Sequence, residues 1–387
     1  MRYHNYRNPR QNNSSGRKVR SFDPSSLVKQ AQVPNSVVSD TYIAKFSFSD
    51  FAVGPQLLSN IQTRGYVTPT PIQDQCIPAL LSGSDVVGMA NTGTGKTAAF
   101  LIPFIHKIMA IRSQRVLVVA PTRELAGQIE QEFKLFARSL NLSSALCIGG
   151  VGMIRQIREL SRSPHFVVGT PGRLKDLEKR GNIHFPLFNN VVLDEVDRML
   201  DMGFIHDVTY IVSKLAHNRQ SAFFSATIPD SVKRVMNDFL KNPVTISVKS
   251  SDNLDNVSQS IVKTYGKTKI EVLHDLLIQK GFDKVLVFGR TKWGLEKLAR
   301  DLNLRGFRVV AIHGNKSQSQ RQYSLDQFKD NRVKVLLATD VASRGLDIDS
   351  ITHVINYDLP ESYEDYIHRI GRTGRADKKG MALTLVE

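Results

Sequence analysis

At 387 residues the chain is long enough for two domains of ordinary size, each with its own core. Its 41% hydrophobic and 23% charged residues suit a globular protein in water, no apolar run is long enough to span a bilayer, and the polar N-terminus carries no secretory signal. The net charge of +16 favours polyanionic partners, and two cysteines, Cys76 and Cys147, exclude a disulfide framework or structural zinc and suit a reducing, cytoplasmic compartment.

Met1 to Lys45 is rich in Arg, Asn, Ser and Gln, with eight basic residues to two acidic, and lacks apolar periodicity, so residues 1–45 read as a disordered basic arm. From Phe46 short apolar runs alternate with amphipathic stretches: Asp85–Ala90, Val116–Ala120, Phe166–Gly169, Val191–Leu193 and Ala222–Phe224. A polar stretch around 249–258 reads as a linker. The pattern resumes with Val285–Phe288, Val309–Ile312, Val335–Ala338, Val354–Tyr357 and Ala382–Val386. Short β-branched runs separated by helix-length segments predict two α/β domains, 46–248 and 259–387, each a mainly parallel sheet flanked by helices.

Polar residues recur just past the carboxyl ends of the predicted strands, where open parallel sheets bind their ligands: Thr122, Arg123, Thr170, Asp194, Glu195, Ser225 and Thr227, then Arg290, His313, Thr339 and Asp340. The first strand leads into Ala90-Asn91-Thr92-Gly93-Thr94-Gly95-Lys96-Thr97 and then a helix over Ala98–Ile111, the order of a phosphate cradle. Gly93 and Gly95 let backbone amides approach phosphates, Lys96 supplies a point charge, and the Thr97 hydroxyl is a magnesium ligand. Ala90 stands where the general pattern has Gly. Asp194, at the tip of a later apolar strand, is placed to hold magnesium partly through water, and Glu195 to orient or deprotonate an attacking water.

The loop Ala90–Thr97, Pro121–Leu125 (PTREL), Thr170–Arg173 (TPGR), Asp194–Asp197 (DEVD), Ser225–Thr227 (SAT) and His368–Arg375 (HRIGRTGR) occur in that order. The set resembles the DEAD-box family of superfamily 2 helicases over nearly all of Phe46–Glu387, with Val196 for the family's usual Ala and Asn91 where Gln is common. The resemblance implies two RecA-like domains and an ATP-dependent RNA helicase that opens short duplexes locally. An ATP-gated RNA clamp or annealing chaperone carries the same motifs, and a DNA helicase is a further alternative.

Phe48 and Tyr66–Gln73 resemble the family's Q motif, although Thr70-Pro71-Ile72-Gln73 is also a helix capping box. The resemblance implies that Gln73 selects adenine, that Tyr66 packs against the base with Phe48 nearby, and that Asp347 contacts the ribose. It further implies that Arg372 and Arg375 reach the γ-phosphate from the second domain, and that His368 bridges to Asp197. Ser225, Thr227 and Arg369 join them as interdomain coupling residues. Thr122, Arg123, Gly150, Thr170 and Arg173, with Arg290, Gln318, Arg321 and Thr339, are the corresponding RNA contacts. Hydroxyls, backbone and a few Arg suit phosphate and 2′-OH contacts, and no aromatic-interleaved recognition surface is legible in the core, so low sequence specificity is expected.

Overall fold

The computed structural model describes residues 28, 42–91, 93–248, 256–343, 348, 350–374 and 378–387. Most of the expected arm and linker, together with Thr92, Asp347 and Arg375, lies outside the described residues. Two parts of the arm are packed. Val28 is buried among Val257, Tyr366, Ile370 and Ala382, and the buried Asp74 accepts the Tyr42 hydroxyl and the amides of Lys45 and Phe46. The arm's boundary therefore moves back from 45 to at least Tyr42.

The first domain runs α1 (Pro55–Thr63), α2 (Pro71–Leu81), β1 (Val86–Met89), α3 (Lys96–Ala110), β2 (Val116–Val119), α4 (Arg123–Phe136) and β3 (Ser144–Cys147). It continues with α5 (Met153–Ser161), β4 (Phe166–Gly169), α6 (Pro171–Lys179), β5 (Asn190–Leu193), α7 (Val196–Asp201), α8 (Ile205–Lys214), β6 (Gln220–Ser225), α9 (Asp230–Phe239) and β7 (Val244–Ser247). The seven strands pair in parallel in the order β3-β4-β2-β5-β6-β1-β7.

The second domain comprises β8 (Val257–Lys263), α10 (Lys269–Leu277), β9 (Val285–Phe288), α11 (Lys292–Leu304), β10 (Val309–Ile312), α12 (Gln318–Lys329) and β11 (Val335–Ala338). It ends with α13 (Asp340–Ser343), β12 (His353–Asn356), α14 (Tyr363–Ile370) and β13 (Gly380–Val386). Its sheet order is β10-β11-β9-β12-β13-β8, again parallel throughout. No helix among the described residues is long and apolar enough to cross a membrane.

Both faces of each sheet are covered, which is why the inner strands are continuously apolar. Val116 and Val118 of β2 join one core while Leu117 and Val119 join the other. In β9, Val285 and Val287 divide from Leu286 and Phe288 in the same way. Three strands escape the apolar-run criterion: β3, β7 and β8, all at sheet edges. Their residues are only alternately or sparsely buried, because an edge strand shares its surface with water. Strand β8 starts at Val257, inside the expected linker, and α14 continues to Ile370, so His368 and Arg369 lie on its last turn.

At the amino ends of the first sheet's strands a polar knot ties sheet to helices. Lys107 Nζ donates to Asn190 Oδ1 at 2.9 Å and Gln220 Oε1 at 2.8 Å. Gln220 Nε2 in turn donates to the carbonyls of Leu80 and Ser84, each at 2.8 Å. Burial lowers the Lys107 pKa, and the two amide oxygens are the acceptors that its Nζ meets inside the protein. Gln220→Leu removes all three bonds and is expected to cost about 1.5–3 kcal/mol, read as a lower urea midpoint at unchanged slope.

Candidate active site and nucleic-acid interface

The loop after β1 is held by its carbonyls. Lys96 Nζ donates to the Ala90 carbonyl at 2.9 Å, Thr94 Oγ1 to that of Asn91 at 2.8 Å, Thr70 Oγ1 to that of Thr94 at 2.8 Å, and Gln73 Nε2 to that of Gly95 at 3.1 Å. These four bonds occupy loop carbonyls with protein donors, which leaves the described loop amides for an anion. Gly93 and Gly95 have φ of +88° and +92°, and a Cβ at Gly95 would fall 2.4 Å from Gln73 Nε2. Only glycine fits between the clamp and the ligand side. Thr97 follows Lys96 in the first turn of α3.

Gln73 is 0% exposed, and its Oε1 also accepts the Thr70 amide at 3.0 Å, closing the capping box. In this structure it acts on the loop rather than presenting an edge for adenine. Phe48 is likewise a core residue, 3% exposed, packed edge-on against Phe51 and Tyr66. Phe48 thus supports Tyr66, whose ring also packs on Phe136 and whose hydroxyl donates to Glu132.

Asp194 ends β5 and is fully enclosed. Its Oδ1 is buried with no hydrogen-bond partner. Burial pushes its pKa up to about 6, against the pull of Lys96. Glu195 sits at φ +52°, an unusual conformation for a residue with a side chain, and its Oε2 pairs with Arg198 Nη1 at 2.7 Å, both groups buried. Asp197 Oδ2 accepts the amides of Ala226 and Thr227 and the Thr227 hydroxyl, while Ser225 Oγ accepts the Asp197 amide. Asp197, Ser225 and Thr227 thus form one lock between the loops after β5 and β6. The expected bridge from Asp197 to His368 is not made; the carboxylate works inside the first domain.

In the second domain Arg372 is buried, and its Nε donates to the His368 carbonyl at 3.1 Å. Arg369 departs from its expected interdomain role. Only 2% exposed, it grips Asp340 through Nε at 2.6 Å and Nη2 at 2.7 Å, reaches Asn356 Oδ1 and the Asp358 carbonyl through Nη1, and lies over the Phe288 ring. All of these partners belong to the second domain, so Arg369 positions the end of α14 against the loops after β11 and β12.

The residues expected at RNA divide into two groups. Arg123 and Arg173 converge on the loop after β3: Arg173 Nη1 donates to the Val151 carbonyl at 3.3 Å, and a Cβ on Gly150 (φ +75°) would meet Arg123 Nη1 at 2.3 Å. Thr122 and Thr170 occupy the N-caps of α4 and α6, with Thr122 Oγ1 accepting the Leu125 amide. Thr339 precedes α13, its carbonyl accepting the amides of Ala342 and Ser343, and Arg290 is exposed, its amide bonded to Asp358. Gln318 Nε2 donates to Glu124 Oε1 at 3.0 Å and Arg321 Nη2 pairs with Glu124 Oε2 at 3.0 Å, so both join the domains. Glu124 and Arg198 received no role from sequence. A buried acid or base needs a partner, but burial was not legible where the partner lies far away or in a solvent-like helical pattern.

Residues 70–235 match the family model described as DEAD/DEAH box helicase and residues 268–377 that of the helicase conserved C-terminal domain. The chain is 43% identical to the ATP-dependent RNA helicase CshA of Listeria monocytogenes, covering 88% of this chain and 66% of that protein. It is also 43% identical to the DEAD-box ATP-dependent RNA helicase CshA of Geobacillus kaustophilus, covering 88% and 73%. Among solved structures it resembles S. cerevisiae Dbp5 bound to RNA and ADP BeF3, with TM-score 0.77, 29% identity and coverage of 88% and 89%. Mss116p bound to ssRNA and AMP-PNP gives TM-score 0.78 at 27% identity, covering 88% and 73%.

Two outcomes follow from these contacts. Because Asp194 must be ionised to face a cation, affinity for a magnesium nucleotide, followed with a fluorescent analogue, should drop as pH falls through about 6, and Asp194→Asn should abolish that inflection. Glu124→Ala removes both acceptors of Gln318 and Arg321, so energy transfer between dyes on the two domains should decrease, with Glu124→Gln falling between the two.

Proposed function

Since the chain belongs to the DEAD/DEAH-box helicase family, we propose that it is an ATP-dependent RNA helicase whose hydrolysis, stimulated by RNA, separates short duplexes and remodels RNA or RNA–protein complexes. The relatives named as ATP-dependent RNA helicases and the neighbours bound to RNA support this reading. The observation that carries it is the unpartnered, buried Asp194 oxygen beside Lys96, next to a Glu195 held by Arg198.

The Ala90–Thr97 loop would hold the phosphates, with Lys96 exchanging its Ala90 carbonyl contact for phosphate oxygens. The donor set fits Mg2+: a hydroxyl at Thr97 and the orphaned Asp194 oxygen, with no group of three or more His, Cys, Asp or Glu metal ligands among the described residues. When bound, Mg2+ would neutralise phosphate charge. Glu195, its direction set by Arg198, would orient or accept a proton from the attacking water. Arg372 and Arg375 would place positive charge at the γ-phosphate from the second domain. Asp347 would meet the ribose, and Tyr66 with Gln73 the base, Gln73 using its remaining N–H and lone pair. Arg123, Arg173, Arg290 and Thr339, with the N-cap threonines Thr122 and Thr170 and Gly150, would follow the RNA backbone rather than its bases. Burial pushes both thiols, Cys76 and Cys147, up to about 12; such inert thiols suit a cytoplasmic protein.

The direct test is displacement of a labelled strand from a short RNA duplex with ATP and Mg2+. No ATP-dependent displacement by the wild type, under conditions where it binds RNA, defeats the helicase reading. Glu195→Gln should lower turnover about 10²–10⁴-fold while retaining RNA binding with an ATP analogue.

A further inference from the structure

The single tryptophan of the chain, Trp293, is 72% exposed, although its ring is the largest apolar surface a side chain offers. It lies in the first turn of α11, two residues past the N-cap Thr291, whose Oγ1 accepts the Gly294 amide at 3.0 Å and so fixes the helix start. Trp293, Lys297 and Arg300 are spaced at i, i+4 and i+7, placing an exposed ring at the head of an exposed basic stripe. Arg290 and Lys292 add two further exposed cations. The stripe's acid, Glu296, is paired with Lys316 at 2.9 Å and with His313 at 2.7 Å.

The position relative to the cleft follows from contacts. Lys292 Nζ donates to Asn315 Oδ1 at 2.9 Å, tying the start of α11 to the loop after β10. That loop leads into Gln318, which reaches Glu124 and whose Cβ would lie 3.5 Å from a Cβ on Gly150. Trp293 is therefore at the carboxyl edge of the second sheet, on the side where that sheet meets Arg123, Gly150 and Arg173.

We infer that Trp293 is a stacking platform for one base of the bound single strand, the neighbouring cations taking the flanking phosphates. This rests on the RNA reading above and adds to it a base contact that the backbone-binding residues lack. An aromatic face on a basic track is how single strands are held without sequence preference, since every base has a π-face. A single aromatic platform of this kind adds no sequence reading and so sits with the low sequence specificity expected of the core.

Because Trp293 is the only tryptophan, intrinsic emission reports it alone. An unlabelled ten-nucleotide uridine RNA added with AMP-PNP should quench that emission, and the same backbone with abasic residues should not. Trp293→Ala should weaken binding of a fluorescein-labelled RNA about 5- to 150-fold by anisotropy, and Trp293→Phe much less. RNA binding seen by anisotropy, with Trp293 emission and Trp293→Ala affinity unchanged, overturns the stacking site and leaves the helicase reading standing. Equal quenching by the abasic strand also overturns it. Absence of RNA binding by the wild type overturns both.

Discussion

A sheet whose strands are all parallel must be covered on both faces, since every return connection crosses one of them. Chemistry is left with the sheet's ends. Both domains obey this constraint, and the consequence is a division of labour along each strand. In the first sheet the amino ends carry the Lys107, Asn190 and Gln220 knot, and the carboxyl ends carry the phosphate loop, Asp194, Glu195 and the Asp197 lock. One set of strands thus separates what stabilises the fold from what acts on a ligand.

Buried charge marks the places where that geometry is held. Arg369 is satisfied by four hydrogen bonds to three partners inside the second domain, and Glu195 by Arg198 in the first. Asp194, a carboxylate enclosed beside Lys96, keeps one oxygen unpaired, as Arg219 and Arg321 each keep an unpaired Nε. An unpaired buried polar atom is costly, and at Asp194, beside the lysine of the phosphate loop, a bound cation would supply the missing partner.

Inner strands were legible in the sequence because double-sided burial leaves continuous β-branched runs; β4, β9 and β11 fall where those runs fall, as does β10, an edge strand that is nonetheless largely buried. The other edge strands were not, since β3, β7 and β8 bury only part of their surface. The phosphate loop was legible because its chemistry is local, a handful of residues between one strand and one helix. Partnerships were not. Glu124 and Gln318 stand 194 residues apart, and nothing in the short string PTREL shows whether its acid faces water, RNA or another domain. At Gln73 a capping box and the Q-motif resemblance fall on the same residue, so the string carried both meanings; the cap and the clamp on Gly95 became visible only in the structure.

The contact at Glu124 has a mechanical character of its own. Each carboxylate oxygen is taken by a different side chain, Gln318 and Arg321, one helical turn apart on α12. A single bond between two bodies acts as a swivel; two bonds on a planar group act as a keyed joint, which admits one rotation of α12 and refuses its neighbours. Two bonds to one planar carboxylate thus hold α12 in a single orientation against Glu124, and with it the loop that precedes α12 at the end of the second sheet.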